Sequence, residues 1–486
     1  MPLLMKNISE KEIKFNDLEE KLWKQKMEEG LDELRNKLKE IDYLLLKNKN
    51  NKELEAKDFQ PTTIKCRFGD LEIHRRRYKF SKKGVVKFVY LLDIYLELGY
   101  IGQYSQSIVE MVLREAVEKS YRNTAKTISE DTNTVISYTA ARNIVLKFSE
   151  KIEETEKLKL KLYQRGELEG ERVCKIIYSE SDGVYISKQS RKKNKISRNG
   201  KTIKNEVKIG AIHEGFEKRY NNDFKLVNKQ MVVTTRSAKY FKSLVDMTIG
   251  TTYKENEIEK IIINADGAGW TKNIAEGTKE RYQLDMAHIQ RGIYQAVKDE
   301  EYKKLMQWVV YTDKPHEIFN ILHNYKLELE YDEKTEELGK VIDLEKYLKN
   351  NAKGLLRYQY DFPDRKEELK NLGTEESQVY VGCAKRMKNN RTSWGELGAE
   401  AMVKIINYTI NNKLEDIITG KMKLDIQEEL DKRTPEPKKI KKTKQGYIRY
   451  AGTYRIIENV EGWKKLRIKN LIRGKKCSEL MYIPGM

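Results

Sequence analysis

Cysteine is scarce in this 486-residue chain: Cys66, Cys174, Cys383 and Cys477 lie far apart and form no C-x-x-C pair. That excludes a zinc ribbon and a disulfide framework, and it fits a reducing cytoplasm. Only seven prolines occur, so no Pro-rich linker marks a domain boundary. Long apolar runs are missing too. The most apolar stretch, Val85 to Leu98, is broken by Lys87, Asp93 and Glu97, and the N-terminus has no basic region followed by an apolar one. Neither a membrane span nor an export signal is expected.

Charge is abundant. Charged residues make up 35% and hydrophobic residues 39%, a balance too apolar for wholesale disorder. At about 150 residues per domain the length suggests roughly three domains. Lys and Arg number 95 against 75 Asp and Glu, a net +20 that calls for a polyanionic partner, nucleic acid ahead of an anionic membrane.

Periodicity divides the chain. Met27, Leu31, Leu34, Leu38, Ile41 and Leu45 form a heptad seam, either a helix packed on its own domain or a short coiled coil between subunits. Thr63 to Tyr78 alternates around Gly69-Asp70 and predicts a β-hairpin, ending in Arg75-Arg76-Arg77-Tyr78, a cluster suited to phosphate contacts. Tyr104 to Glu150 has a helical period. Ala125 and Ile128 give one helix its apolar face, a polar break covers Ser129 to Asn133, and Ser137 is placed to cap a second helix with Tyr138, Arg142 and Lys147. That is either a DNA-binding helix-turn-helix or a plain helical pair. Val173 to Ile186, Val207 to His213 and Phe224 to Thr235 predict strands, Ala238 to Ile249 a helix, and Ile258 to Ala265 a further strand. Arg281 to Leu284 is strand-like, Ala287 to Val297 helical, and Tyr302 to Lys370 helical without a clear strand.

Two of the apolar strands are expected to end in Asp-Gly, at Asp182-Gly183 and Asp266-Gly267. Either pair alone suits a turn. On neighbouring strands of one sheet their carboxylates would meet and raise each other's pKa unless a cation lies between them, and hard divalent ions with oxygen ligands answer that need. A third carboxylate is expected from a helix over the same edge. Gly373-Thr374-Glu375-Glu376-Ser377 opens such a helix, although Glu in a first turn is also favoured by the helix dipole alone. Asp285-Met286-Ala287-His288 is either a helix cap with a core imidazole or part of the same site.

Together these residues carry a resemblance. Glu180-Ser181-Asp182-Gly183, Asn264 through Trp270, Asp285-x-x-His288, Gly373-Thr374-x-Glu376-Ser377 and Arg386-Met387-Lys388-Asn389-Asn390-Arg391-x-Ser393-Trp394 resemble bacterial insertion-sequence transposases of the ISLre type, over about residues 60 to 410. The resemblance implies an RNase H-like catalytic core with a DDE triad, an Asp-x-x-His element like that of Mutator-type transposases, and a helical insertion before the last Glu. By position the triad would be Asp182, Asp266 and Glu376, and the 110 residues between the last two leave room for the insertion. Two departures stand out: Glu375 precedes Glu376 where the family has an apolar residue, and Met286-Ala287 replaces its Pro-Phe.

The implied chemistry is phosphodiester cleavage and strand transfer with two Mg²⁺ or Mn²⁺ ions. Asp182 would bridge the ions while Asp266 and Glu376 complete one each. Glu180, on the same strand face as Asp182, would support the site, and His288 would contact the scissile phosphate or orient a carboxylate. Eight basic residues and no acidic one lie between Lys188 and Lys204, Arg191, Lys192 and Lys193 among them. The stretch from Pro435 to Met486, with 14 Lys and Arg against 4 Asp and Glu, carries half the net charge. Double-stranded DNA is the expected partner, bound by Arg75, Arg76, Arg77, Tyr138, Arg142, the 188–204 loop, Arg386, Lys388 and Arg391.

The expected architecture is a multidomain α/β chain: a helical segment over 1–58, a mainly helical DNA-binding region over 59–165, and a mixed-sheet RNase H-like core over 166–299. A helical insertion over 300–370, the last core helix over 371–412 and a basic tail over 413–486 complete it. A cytoplasmic, nucleoid-associated bacterial transposase, at least dimeric on DNA, is the expected function. A catalytically silent DNA-binding regulator and an RNase H-like nuclease without joining activity are the alternatives.

Overall fold

The computed structural model describes residues 14–48, 54–82, 85–96, 98, 100–189, 204–220, 223–271, 275, 277–366, 368–388 and 392–420, without the side chains of 81, 82, 85, 223, 375, 376 and 381. The chain forms two compact units divided at Phe148 and Ser149. No helix among the described residues is long and apolar enough to cross a membrane.

The first unit opens with α1 (Phe15–Lys47), followed by an antiparallel sheet of β1 (Leu54–Cys66), β2 (Gly69–Lys82) and β3 (Val85–Val89), then α2 (Leu91–Leu96). The heptad seam packs within its own unit: Leu31, Leu34, Leu38, Ile41 and Leu45 lie against Ile64, Leu71, Ile73, Tyr78, Leu91 and Leu92. The hairpin is longer than its alternation suggested. Cys66 pairs with Gly69, so the turn is Arg67-Phe68 and not Gly69-Asp70. Gly69 takes a φ of +132°, which glycine adopts without strain, and Asp70 is held inside the ladder by Lys65 at 2.8 Å. Three helices follow: α3 (Gln106–Glu118), α4 (Tyr121–Asp131) and α5 (Tyr138–Gln164), the last crossing the division between units. Ser105 and Ser120 cap α3 and α4, and the Ser137 hydroxyl accepts from the Ala140 N–H at 3.1 Å, as its position before a helix suggested.

The second unit is built on β4 (Ile176–Ser187), β5 (Lys204–His213), β8 (Gln230–Thr234), β9 (Lys260–Ala265) and β10 (Glu280–Leu284), in the order β10-β9-β4-β5-β8. β4, β9 and β10 run parallel, whereas β5 is antiparallel to β4 and to β8. Phe224 to Thr235 is not one strand. Its first part becomes β7 (Asp223–Leu226), paired with β6 (Phe216–Tyr220) in a separate hairpin, and Asn228 at φ 52° breaks the chain before β8.

Helix α6 (Ala238–Gly250) covers one face through Phe241, Leu244 and Val245 against Ile177, Ile212 and Val232. On the other face Ile176, Tyr178 and Ile262 meet Tyr358 and Leu372. After β10 come α7 (Met286–Ala296), α8 (Glu300–Val309), α9 (Ile318–Tyr331) and α10 (Thr335–Asn350), which share their own apolar core. The chain returns through α11 (Glu375–Val379), a π-helical turn Tyr380–Ala384, α12 (Lys385–Met387), α13 (Glu396–Ile410) and α14 (Leu414–Ile418). A Cβ on Gly382 in the π turn would lie 3.5 Å from Ile209 and from Met231, so this helix crosses the sheet closely.

Candidate active site

The register brings three carboxylates to one level. Ser181 pairs with Ala265 and Ala265 with Leu284, so Asp182, Asp266 and Asp285 are the next residues on three neighbouring parallel strands. Such strands lie about 4.8 Å apart. β9 and β10 stop there; β4 does not. Asp182 pairs with Ile209 and Gly183 with Lys208, and the strand continues to Ser187. The expected strand end at Asp182-Gly183 is therefore a mid-strand position, and Gly183 serves packing: a Cβ there would approach Glu206 Oε1 to 2.9 Å. Asp266-Gly267 is the turn the sequence suggested. Asp266 accepts from the Ala268 N–H at 2.8 Å, and Gly267 takes a φ of +82° against Asn351 and Leu284.

Electrostatics follow from this register. Burial, with Asp266 and Asp285 nearby, pushes the Asp182 carboxyl above its ordinary value, while the Gly183 N–H and His288 pull it down. Asp285 caps α7 by accepting from the His288 N–H at 2.9 Å, and the same oxygen lies 2.9 Å from His288 Nδ1. That hydrogen bond first, then the charges of Asp285, Asp182 and Asp266, raise the His288 pKa against its burial. Nδ1 thus carries a proton and Nε2 is the second ring nitrogen beside an acidic cluster. Asp285 is itself fixed by Asn264 Nδ2 at 3.1 Å, Asn264 by Gln283 Nε2 at 3.1 Å, and Gln283 accepts from the Tyr358 N–H at 2.8 Å. Cap and site member are one residue.

Glu180 binds the segment that leads into α11. It accepts from the Gly373 N–H at 2.7 Å, the Thr374 N–H at 2.9 Å and the Thr374 hydroxyl at 2.6 Å. Glu376 stands second in α11, and its side chain lies outside the described residues. Among the described residues no group of three or more His, Cys, Asp or Glu is arranged to hold a metal ion.

The three clustered arginines are engaged within the first unit. Arg75 pairs with Asp93 and stacks on Tyr90, Arg76 lies 3.3 Å from the buried Asp42, and Arg77 grips Asp58 through two bonds of 2.7 and 2.6 Å while covering Phe88. Tyr138 and Arg142 are exposed on the first turns of α5, with Arg122 stacked on Tyr138. Arg191, Lys192, Lys193 and Arg391 lie outside the described residues. Arg386 stacks on Trp394 and Lys388 is exposed. Trp394 is buried and bonded to the Ser187 carbonyl, which ties this motif to the end of β4.

Residues 8–422 match the family described as "Uncharacterised protein family (UPF0236)". The chain belongs to the UPF0236 family. It is 25% identical over 86% of its length to UPF0236 protein TTE2489 of Caldanaerobacter subterraneus subsp. tengcongensis, covering 82% of that protein. A second relative from that organism, which carries eleven locus labels, is likewise 25% identical, covering 81% of that protein. A UPF0236 protein in the vanSb 3′ region of Streptococcus gallolyticus is 24% identical over 82% of this chain and 84% of its own length. The family is bacterial and multi-copy.

Two supports in this UPF0236 chain went unforeseen. Tyr347 of α10 donates to the Asp266 carbonyl at 2.7 Å, and Asn351 accepts from the Tyr282 hydroxyl at 3.2 Å beside Gly267. Trp270 donates to Glu206 at 3.0 Å across Gly183 and packs edge-on to Phe241. Tyr347, 81 residues from its partner, had no local signal. Asn264, a polar residue after three isoleucines near the end of β9, had one.

Proposed function

We propose that this UPF0236 chain is a DNA transposase of the DDE type, cutting and joining DNA strands with divalent ions at Asp182, Asp266 and Glu376. The observation that carries the reading is the level placement of Asp182 and Asp266 on adjacent parallel strands, beside Asp285-His288. A mixed five-stranded sheet with α6 on one face and α11 on the other supports an RNase H-like core. A carboxyl whose pKa is raised first by burial and then by its carboxylate neighbours suits Mg²⁺ or Mn²⁺, which when bound would activate the attacking oxygen and stabilise the leaving one. A relative that carries eleven locus labels in one organism suits a mobile element.

In this reading the α5 start, with Tyr138 and Arg142, reads DNA, and His288, whose pKa the Asp285 hydrogen bond raises, faces a phosphate. The test is nicking and strand transfer on supercoiled plasmid in Mn²⁺ or Mg²⁺. Cleavage by the wild type that Asp182→Asn and Asp266→Asn abolish without weakening DNA binding supports it. Nicked products that never join would identify a nuclease, and DNA binding without cleavage a silent regulator.

A further inference from the structure

Glu180 is 1% exposed and His213 fully buried, yet neither contains a reacting group of the proposed mechanism. Their geometry is that of a tie between two distant segments. His213 Nδ1 lies 3.2 Å from both the Gly215 N–H and the Gly215 carbonyl, and Nε2 lies 3.1 Å from Glu180 Oε1, a carboxylate oxygen that accepts its proton. With Gly373 and Thr374 adding three donors, one carboxylate accepts four hydrogen bonds, so its charge is satisfied without water. Tyr178 stacks on His213 at 5.2 Å and Phe216 meets it edge-on at 5.3 Å, which prevents the ring from turning away.

We propose that Glu180 is the positioning residue of the acidic site. It sets where α11 begins relative to β4, and so the distance between Asp182 and the carboxylate that α11 supplies. The inference rests on the transposase reading for its functional consequence. Glu180 stands two residues before Asp182 on the same strand face, and Thr374 stands two residues before Glu376. A second tie, Lys229 Nζ to Gln378 Oε1 at 3.0 Å, holds the last turn of α11 without fixing its start. Glutamine at 180 has one oxygen for two sets of donors. Kept on the Gly373 and Thr374 N–H groups it sets an NH₂ group against the proton on His213 Nε2, and turned to His213 it sets the NH₂ group against those two N–H groups. Aspartate would fall one methylene short.

The experiment follows amide hydrogen exchange and plasmid nicking in the full chain carrying Glu180→Gln, Thr374→Val, Thr374→Ser or Asp182→Asn. Amides of residues 373–379 are expected to exchange at least tenfold faster in Glu180→Gln and Thr374→Val, and at the wild-type rate in Thr374→Ser and Asp182→Asn. The Mn²⁺-supported nicking kcat should fall at least tenfold in the first two variants with KM for plasmid unchanged, and Thr374→Ser should restore it. Wild-type exchange at 373–379 in Glu180→Gln and Thr374→Val overturns the tie. Normal exchange elsewhere shows that Glu180→Gln is folded, and Thr374→Val serves if it is not. If the wild-type chain nicks no DNA with either ion, the transposase reading fails while the exchange measurement still decides the tie.

Discussion

Replacing Asp182 by Asn should make the apo protein more stable while ending its chemistry. The Asp182 carboxyl is held above its ordinary value by burial and by Asp266 and Asp285. A carboxyl with a higher pKa folded than unfolded favours folding at low pH, and that contribution is lost as pH rises from about 3.9 through the folded value. Above the folded value the penalty is fully present. Two charges about 4.8 Å apart, at an effective dielectric of roughly 20 to 80, repel by about 1–3 kcal/mol. His288 offsets part of this, leaving on the order of 1 kcal/mol for Asn to relieve, or about 2 °C in a unit of this size. Asn keeps an oxygen for the Gly183 N–H, now bonded at 2.6 Å, so little packing is lost. Thermal melts at pH 7.5 without divalent ions should place Asp182→Asn above the wild type. Added Mg²⁺ should then raise the wild type and leave the variant nearly unmoved. A variant less stable than the wild type without ions, or one gaining equally from Mg²⁺, would refute the argument.

Adjacent helix residues point about 100° apart, so Glu376→Gln should be inactive in plasmid nicking and Glu375→Gln largely active; the reverse moves the third ligand by one residue. Tyr347→Phe removes only the hydroxyl on the Asp266 carbonyl, and should cost about 0.5–1.5 kcal/mol in melts and raise the Mg²⁺ needed for half-maximal nicking. Arg142→Ala should cost about 1–3 kcal/mol of binding on the element's own terminus and much less on random duplex in titrations at several salt concentrations. Arg77→Ala breaks a half-exposed pair with Asp58 and should lower stability by up to about 1 kcal/mol, changing both DNA affinities little.

Apolar runs made β4, β5, β9 and α6 legible, because buried strands and an amphipathic helix differ in period whatever surrounds them. The hairpin arms were legible for the same reason, but its turn was not, since Gly69 fits the residue after a two-residue turn as well as the turn itself. Asp182 was singled out for a placement that the structure corrects. Asp-Gly suggested a strand end, and the pair instead sits where a neighbouring strand ends, a fact of pairing that no window along one strand contains. Phe224 to Thr235 failed because a single αL residue, Asn228, divides it. The acidic partners of the arginine cluster, Asp42, Asp58 and Asp93, come from other elements and could not be read beside it.

The way the insertion is spliced into the sheet explains why the site depends on buried polar groups. Between β10 and α11 the chain leaves for four helices, α7 to α10, with their own apolar core, and it must return to the level of Asp182. Apolar contact alone would tolerate a return shifted by a residue, since side chains of similar volume exchange at a cost usually below about 1.5 kcal/mol. Hydrogen bonds do not. Tyr358 on Gln283, and Gly373 and Thr374 on Glu180, pair the returning chain with buried acceptors. A slip would strand Glu180 or Gln283 without partners, at about 1–3 kcal/mol for each buried polar group and more for a charge. Asn264 and Asp285 extend the same chain of bonds to His288. The polar residues at the ends of these strands therefore select one register for the returning segment, and that register decides which carboxylates can act together.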